Sequence, residues 1–293
     1  MIWSVNQLVA HRMSIENVED TLAESFNLYL RKDAVRYFKE KFSKTYQATY
    51  DEVKQSILDG NLIHADETKV SIKGVDGYVW VFTNIDSVFY TFRATRETDF
   101  LMDMLAGFDG VLISDFYPGY DSLPCLHQKC LIHLVRDLND DLFRNPLDSE
   151  FEQLVTGFAR LLRSIVETID KYGLKRRNLN KHNQDVEKFY KRIIEHHSKS
   201  ELTQKYQKRF LRYKESLFTF LKYDGVPWNN NNAEHAIKSF AAYRRGHDGI
   251  YTEKSIREYL ILFSIQQTCR YQEISFFEFL KTGKQSLEEF ANM

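Results

Sequence analysis

Apolar positions along this chain change period twice. From residue 5 to residue 58 they recur at three- and four-residue spacing, with Leu22, Phe26 and Leu30 on one stripe and Val35, Phe38 and Phe42 on another. That spacing predicts several short helices. Ser14-Ile15-Glu16-Asn17 reads as an N-cap with an acid close behind it.

Alternation then replaces the helical period. Residues 61–72, 77–85 and 88–94 are rich in Val, Ile, Phe, Tyr, Trp and Thr, and Gly74-Val75-Asp76-Gly77 and Asp86-Ser87 separate them. The pattern predicts a three-strand antiparallel meander. A helix over 98–106, a fourth strand over 110–115, a fifth over 128–132 and a helix over 133–142 are expected next. Three antiparallel strands followed by βα units give an α/β class, a mixed five-stranded sheet flanked by helices.

Residues 150–222 return to a helical period with no strand signal. A loop over 224–232, with Gly225, Pro227 and four consecutive asparagines, precedes two more helices over 233–245 and 253–269. The expected organisation is a helical N-terminal segment (1–59), a first part of the sheet domain (60–149), an all-helical insertion (150–223) and the final helices (224–293). The N-terminal segment fits either a DNA-binding or dimerisation module, with residues 31–44 as the reader of a helix-turn-helix, or an arm packed on the next domain.

Composition adds one thing that the pattern does not. The 293 residues carry 40 basic and 41 acidic side chains, a balance that argues against polyanion binding if the chain is uniform. It is not uniform. Residues 1–150 hold 15 basic and 24 acidic side chains, residues 151–222 hold 17 and 8, and residues 223–293 hold 8 and 9. The helical insertion is therefore strongly basic, and polyanion binding is open. Three cysteines, Cys125, Cys130 and Cys269, do not make a disulfide framework. With no secretory leader and no long apolar run, the chain reads as soluble and cytoplasmic, associated with the nucleoid if it binds DNA.

Two carboxylates stand out on the strands: Asp66 within IHADET, among apolar neighbours, and Asp115 at the end of VLISD. Either alone fits a turn cap or a partner for a base. Together, on the ends of adjacent strands, they suit the oxygen-seeking divalent metals. A third acid is available in Glu234, which Asn230-Asn231-Asn232 places in the first turn of a helix. Lys238 and Arg245 fall near Glu234 on the helical wheel, while Ala233, Ile237, Phe240 and Ala241 form the stripe expected to dock on the sheet. Glu234 and Lys238 also fit a simple surface ion pair.

IHADET, ISDFYPGYD, the following CLIH and NNNNAEHAIKSF, in that order, resemble the DDE transposases, most closely the insertion sequence 66 group, over roughly residues 60–270. The resemblance implies a ribonuclease H-like catalytic core with its acids at Asp66, Asp115 and Glu234. It further implies two Mg²⁺ ions, replaceable by Mn²⁺, and cleavage and strand transfer of transposon-end DNA by a homo-oligomer, a dimer on DNA. Members of that group are commonly longer at the N-terminus, so this chain reads as a shortened copy. Two-metal phosphoryl transfer needs no side-chain nucleophile, consistent with a site made of acids.

Several further residues admit two readings. Cys130 and His133 match a C-x-x-H feature of several transposase families, so His133 is an auxiliary candidate near the scissile phosphate or a buried, hydrogen-bonded histidine. With Cys125 and His127 they do not match zinc-module spacing. Tyr117 and Tyr120 are expected to pack or touch DNA rather than act as nucleophiles. Trp228 either stacks on a frayed base or anchors its loop in the core. Arg244-Arg245-Gly246-His247, together with Lys238, are candidate phosphate contacts, and Lys175, Arg176 and Arg177 head a basic block over 171–214 suited to a duplex backbone. The alternatives for the whole chain are an inactive transposase remnant that only binds DNA, and a two-carboxylate glycoside hydrolase, which the basic insertion does not support.

Overall fold

The computed structural model describes residues 1–31, 33–73, 75–245 and 252–292. Five strands form a mixed sheet flanked by helices, an α/β architecture of the ribonuclease H-like kind. The chain folds as two compact units, one made of residues 1–108 and 231–293 and the other of residues 109–230.

The first unit begins with four helices, α1 (Ile2–Val9), α2 (Ile15–Phe26), α3 (Ala34–Thr45) and α4 (Gln47–Leu58). Ser14 caps α2 by accepting from the Asn17 amide at 3.0 Å. The helix stops at Asn27, which adopts the left-handed conformation. That stop breaks the stripe expected over Leu22, Phe26 and Leu30: Leu22 is buried, whereas Phe26 is 61% exposed. On α3, the buried positions are Val35, Lys39 and Ser43. The α3 helix packs along a later helix of the same unit, to which Lys39 is tied by hydrogen bonds to the Ser255 carbonyl (3.1 Å) and hydroxyl (2.7 Å) and by an ion pair with Glu258 (3.1 Å).

The meander follows as β1 (Leu62–Ile72), β2 (Val75–Thr83) and β3 (Val88–Arg93), all antiparallel. The first turn is tighter than the Gly74-Val75-Asp76-Gly77 loop suggested, because pairing already starts at Ile72 and Val75. Gly74 lies outside the described residues. Gly77 sits inside β2, where a Cβ would run into the Phe92 ring. A short helix, α5 (Asp99–Met104), closes this stretch.

The second unit opens with β4 (Val111–Ser114) and β5 (Leu126–Lys129), which pair in parallel with Ser114 in register with Lys129. The fifth strand was expected over 128–132. It ends earlier because Cys130, extended at φ −63° and ψ 110°, is the N-cap of α6 (Leu131–Arg144). The insertion is then helical throughout: α7 (Ser149–Tyr172), α8 (Arg176–Leu179), α9 (Asn183–Glu195), α10 (Glu201–Arg212) and α11 (Lys214–Leu217). Asp148 and Ser200 cap α7 and α10 through the Phe151 and Thr203 amides. Phe158, Phe189 and Phe210 form the aromatic centre where α7, α9 and α10 meet, with ring centroids 5.1–5.8 Å apart. The chain returns along β5, where Phe220 donates its amide to Gln128 Oε1 (2.9 Å) and Thr219 its hydroxyl to the His127 carbonyl (2.6 Å).

The first unit is completed by α12 (Asn231–Arg244), α13 (Glu253–Tyr271), α14 (Phe276–Thr282) and α15 (Leu287–Ala291). Outer strands expose unpaired amides, and α13 covers this one. Ser264 accepts from the Tyr90 amide (2.9 Å) and Thr268 from the Val88 amide (3.0 Å).

Candidate active site

In the first unit, strand alternation decides where each acid points. Asp66 and Thr68 are two residues apart on β1 and so share a face, while Glu67 points to the opposite one. Glu67 pairs there with Arg96 and is only 3% exposed. The Asp66 carboxylate accepts from the Glu67 amide at 2.9 Å.

The face of Asp66 and Thr68 is the one that α12 covers. Arg244, at the end of α12, donates through Nη1 to Thr68 Oγ1 (3.1 Å) and to the Lys69 carbonyl. At the other end, Asn232 donates to the Asn84 carbonyl (2.7 Å) and accepts from the Tyr271 hydroxyl (3.1 Å). Thr83 is in register with His64, so these anchors lie at the two ends of residues 64–69 of β1. The twelve residue steps from Asn232 to Arg244 rise about 18 Å as a helix, and five to six strand residues span about 17–20 Å. The helix therefore runs along β1, with Glu234 near the level of His64 to Asp66.

A third anchor is independent of the first two. Asp66 is in register with Val81, and Val81 with Tyr90. Residues paired across a sheet share a face, and from this row the buried Tyr90 hydroxyl donates to the Ala236 carbonyl at 2.8 Å. The stripe buried on α12 is Ala233, Ala236, Phe240 and Tyr243, rotated slightly from the expected one, because Ile237 and Ala241 are half-buried. Glu234 lies on the rim of that stripe, with Lys238 at 3.9 Å, and Lys238 is itself 71% exposed.

In the second unit, Asp115 directly follows β4. Its carboxylate accepts from the Tyr117 amide at 2.8 Å, closing a turn at the strand end. Tyr120 is buried and packs edge-on to Tyr117, at 5.9 Å between centroids. Cys130 is buried, its sulfur accepts from the Asn230 amide (3.3 Å), and a His133 ring nitrogen lies within 4.8 Å of that sulfur. The Trp228 carbonyl accepts from the Leu131 amide at 2.9 Å, which ties the asparagine-rich loop to the start of α6, and the Trp228 side chain is half-buried. The Cys125 thiol and the His127 ring are both shifted by burial, the thiol up to about 11 and the imidazole downward.

The candidate cations separate into two groups. Lys175, Arg176 and Arg177 are exposed and, among the described residues, enter no ion pair. Further along, Lys205 pairs with Asp141 (3.1 Å), Arg209 with Asp137 (2.7 Å), Arg212 with Asp121 (3.2 Å) and Lys214 with Glu187 (3.4 Å). Much of the basic excess in α10 is thus neutralised within its own unit. Arg245 is exposed, while Gly246 and His247 lie outside the described residues.

Asp66, Asp115 and Glu234 offer carboxylate oxygens only, the donor type that hard divalent cations take. Sequence reasoning missed Arg244 as the tie between α12 and β1, Tyr90 as its second tie, and Lys129, which is buried at the end of β5. Lys129 carried a readable signal, as the only Lys or Arg between Arg96 and Arg136.

The model of the transposase IS66 family matches residues 3–257 of this chain. No curated protein matches it.

Proposed function

Because the chain belongs to the transposase IS66 family, whose members act on DNA, we propose that it cleaves transposon-end DNA and transfers the strand by metal-dependent phosphoryl transfer through Asp66, Asp115 and Glu234. The observation that carries this reading is the placement of α12: three separate ties hold the helix bearing Glu234 against the face of β1 from which Asp66 points.

Bound divalent ions, two by the family resemblance, would supply activation of the attacking oxygen and stabilisation of the leaving one. The residues of this chain do the rest. Asp66 projects from the middle of β1, Asp115 from the turn that directly follows β4 and Glu234 from the first turn of α12, so each carboxylate sits on or next to a regular element. The Tyr117 amide holds Asp115 Oδ1. Lys175, Arg176 and Arg177 are the exposed cations available for DNA phosphates, with Lys238, Arg244 and Arg245 on or beside α12 and Trp228 for base stacking. A dimer on DNA follows from the same family reading.

Asp66→Asn, Asp115→Asn and Glu234→Gln are each expected to abolish Mg²⁺-dependent cleavage of transposon-end DNA, with DNA binding retained. Cleavage that survives one of these changes removes that residue from the reading. Loss of cleavage in the unaltered chain under both Mg²⁺ and Mn²⁺, with salt-sensitive binding intact, replaces it with a DNA-binding remnant.

A further inference from the structure

Lys129 has the least expected environment in the second unit. Its side chain is 1% exposed, at the end of a parallel strand. Burying an ammonium costs free energy unless acceptors replace water. Here Nζ finds Asp121 Oδ1 at 2.7 Å and Ser114 Oγ at 3.3 Å, and it lies over the Tyr120 and Tyr213 rings at 5.8 and 5.6 Å from their centroids. Burial pulls the lysine pKa down, and the negative charges of Asp121 and Asp115 work against that pull.

The partners of Lys129 bracket one short segment. Ser114 immediately precedes Asp115, and its hydroxyl donates to the Asp115 carbonyl at 3.0 Å. Asp121 ends the turn that Asp115 begins, after the tight helical turn Pro118–Tyr120. One ammonium thus joins the two ends of residues 114–121. The outer side of that segment is held by the insertion. Asp121 Oδ2 receives Arg212 and the Tyr213 hydroxyl, each at 3.2 Å, while the Phe116 ring lies under Arg209 (4.1 Å) and edge-on to Tyr213 (5.1 Å). Arg209 is fixed in turn by Asp137 at 2.7 Å.

We infer that Lys129, backed by Arg212 and Tyr213 at the end of α10, is a positioning residue for Asp115. The inference rests on the reading of Asp115 as a metal-holding acid. It gives the basic insertion a second task besides meeting DNA: the end of α10 holds the turn that presents this carboxylate. Groups that orient a metal-holding side chain commonly change metal affinity by about 10–100-fold when removed.

The test uses the full chain and two readouts that do not depend on turnover. In metal-free Lys129→Met, amide exchange at Tyr117, whose N–H is held by Asp115, is expected to speed up relative to the unaltered chain. Mn²⁺ binding, followed by the paramagnetic signal of the free ion, is expected to weaken by about tenfold. Arg212→Ala removes an exposed side chain, leaves the core intact, and is expected to move both readouts in the same direction by less. Should Lys129→Met not fold, Arg212→Ala and Asp121→Asn carry the test alone. Unchanged Tyr117 exchange and unchanged Mn²⁺ affinity in the folded variants overturn the inference. If Asp115→Asn still cleaves DNA, the reading of Asp115 itself falls. If Asp115→Asn is inactive while the Lys129 and Arg212 variants match the unaltered chain, only the positioning role falls.

Discussion

The Tyr90 hydroxyl donates to the Ala236 carbonyl at 2.8 Å, and Tyr90 stands in the same cross-sheet row as Asp66. Through this bond the outer strand of the meander fixes the second turn of α12, two residues beyond Glu234. Tyr90→Phe keeps the ring packed on Phe263 (4.8 Å) and Phe240 (6.5 Å) and deletes only the donor. The buried Ala236 carbonyl then loses a partner, which is expected to cost about 1–2 kcal/mol in chemical denaturation. Mg²⁺-dependent cleavage should fall further than DNA binding, because the bond sits beside a proposed metal-holding acid and not on an exposed surface. Cleavage equal to that of the unaltered chain would show that α12 is positioned without it.

Arg244 gives a second and separable test of the same helix. As a phosphate contact alone, Arg244 would owe nothing to Thr68. Its Nη1 donates to Thr68 Oγ1 at 3.1 Å, so Thr68→Val removes the acceptor while adding no charge change. Arg244→Met is expected to lower cleavage, and Thr68→Val to reproduce part of that loss with unchanged salt dependence of DNA binding. Additive effects of the two changes in the double variant would mean that they act apart.

How far the site was readable from sequence depends on which kind of signal each residue carried. The positions of Asp66 on a strand and of Asp115 just past one were legible because strand alternation and strand ends show in the period of the apolar positions, and the helix start before Glu234 because four asparagines mark it. The ties that hold these acids were not legible. Tyr90, Thr68 and Arg244 come from distant stretches, and only the register of β1, β2 and β3 shows that they meet. The end of β5 was misplaced for a related reason: Cys130 and Leu131 are as apolar as a strand, and their helical fate is set by hydrogen bonds to Ser114 and Trp228 that no local pattern contains. Net charge misled in the other direction. The basic excess of α10 is real, but Asp121, Asp137 and Asp141, counted in the acidic stretch, are its partners.

That pairing separates two groups of cations by their effect on DNA. Lys175, Arg176 and Arg177 are exposed at the start of α8 and, among the described residues, unpaired. Replacing all three by Ala is expected to weaken binding to any duplex and to lower the slope of log affinity against log salt by up to about 2.7, near 0.9 for each phosphate no longer neutralised. Lys205→Ala, which removes a cation already held by Asp141, should leave the slope nearly unchanged. Equal slopes for the two variants, measured by titration at several salt concentrations, would assign the DNA path elsewhere.

The second unit should also be sensitive to acid. His182 is buried, its Nε2 lies 2.8 Å from the Thr168 hydroxyl, and burial, the larger influence, together with Lys181 pushes its pKa below 6.5. Burial does the same to His127. Each imidazole therefore takes up its proton more readily in the unfolded chain, so unfolding binds protons and stability falls as pH drops below about 6.5. The loss is at most about 1.4 kcal/mol per pH unit for each histidine. His182→Gln keeps a polar group near Thr168 and removes one titration, so its stability, measured by urea denaturation between pH 5 and 7, should decline less steeply than that of the unaltered chain. Parallel curves for the two proteins would mean that His182 is protonated equally in both states.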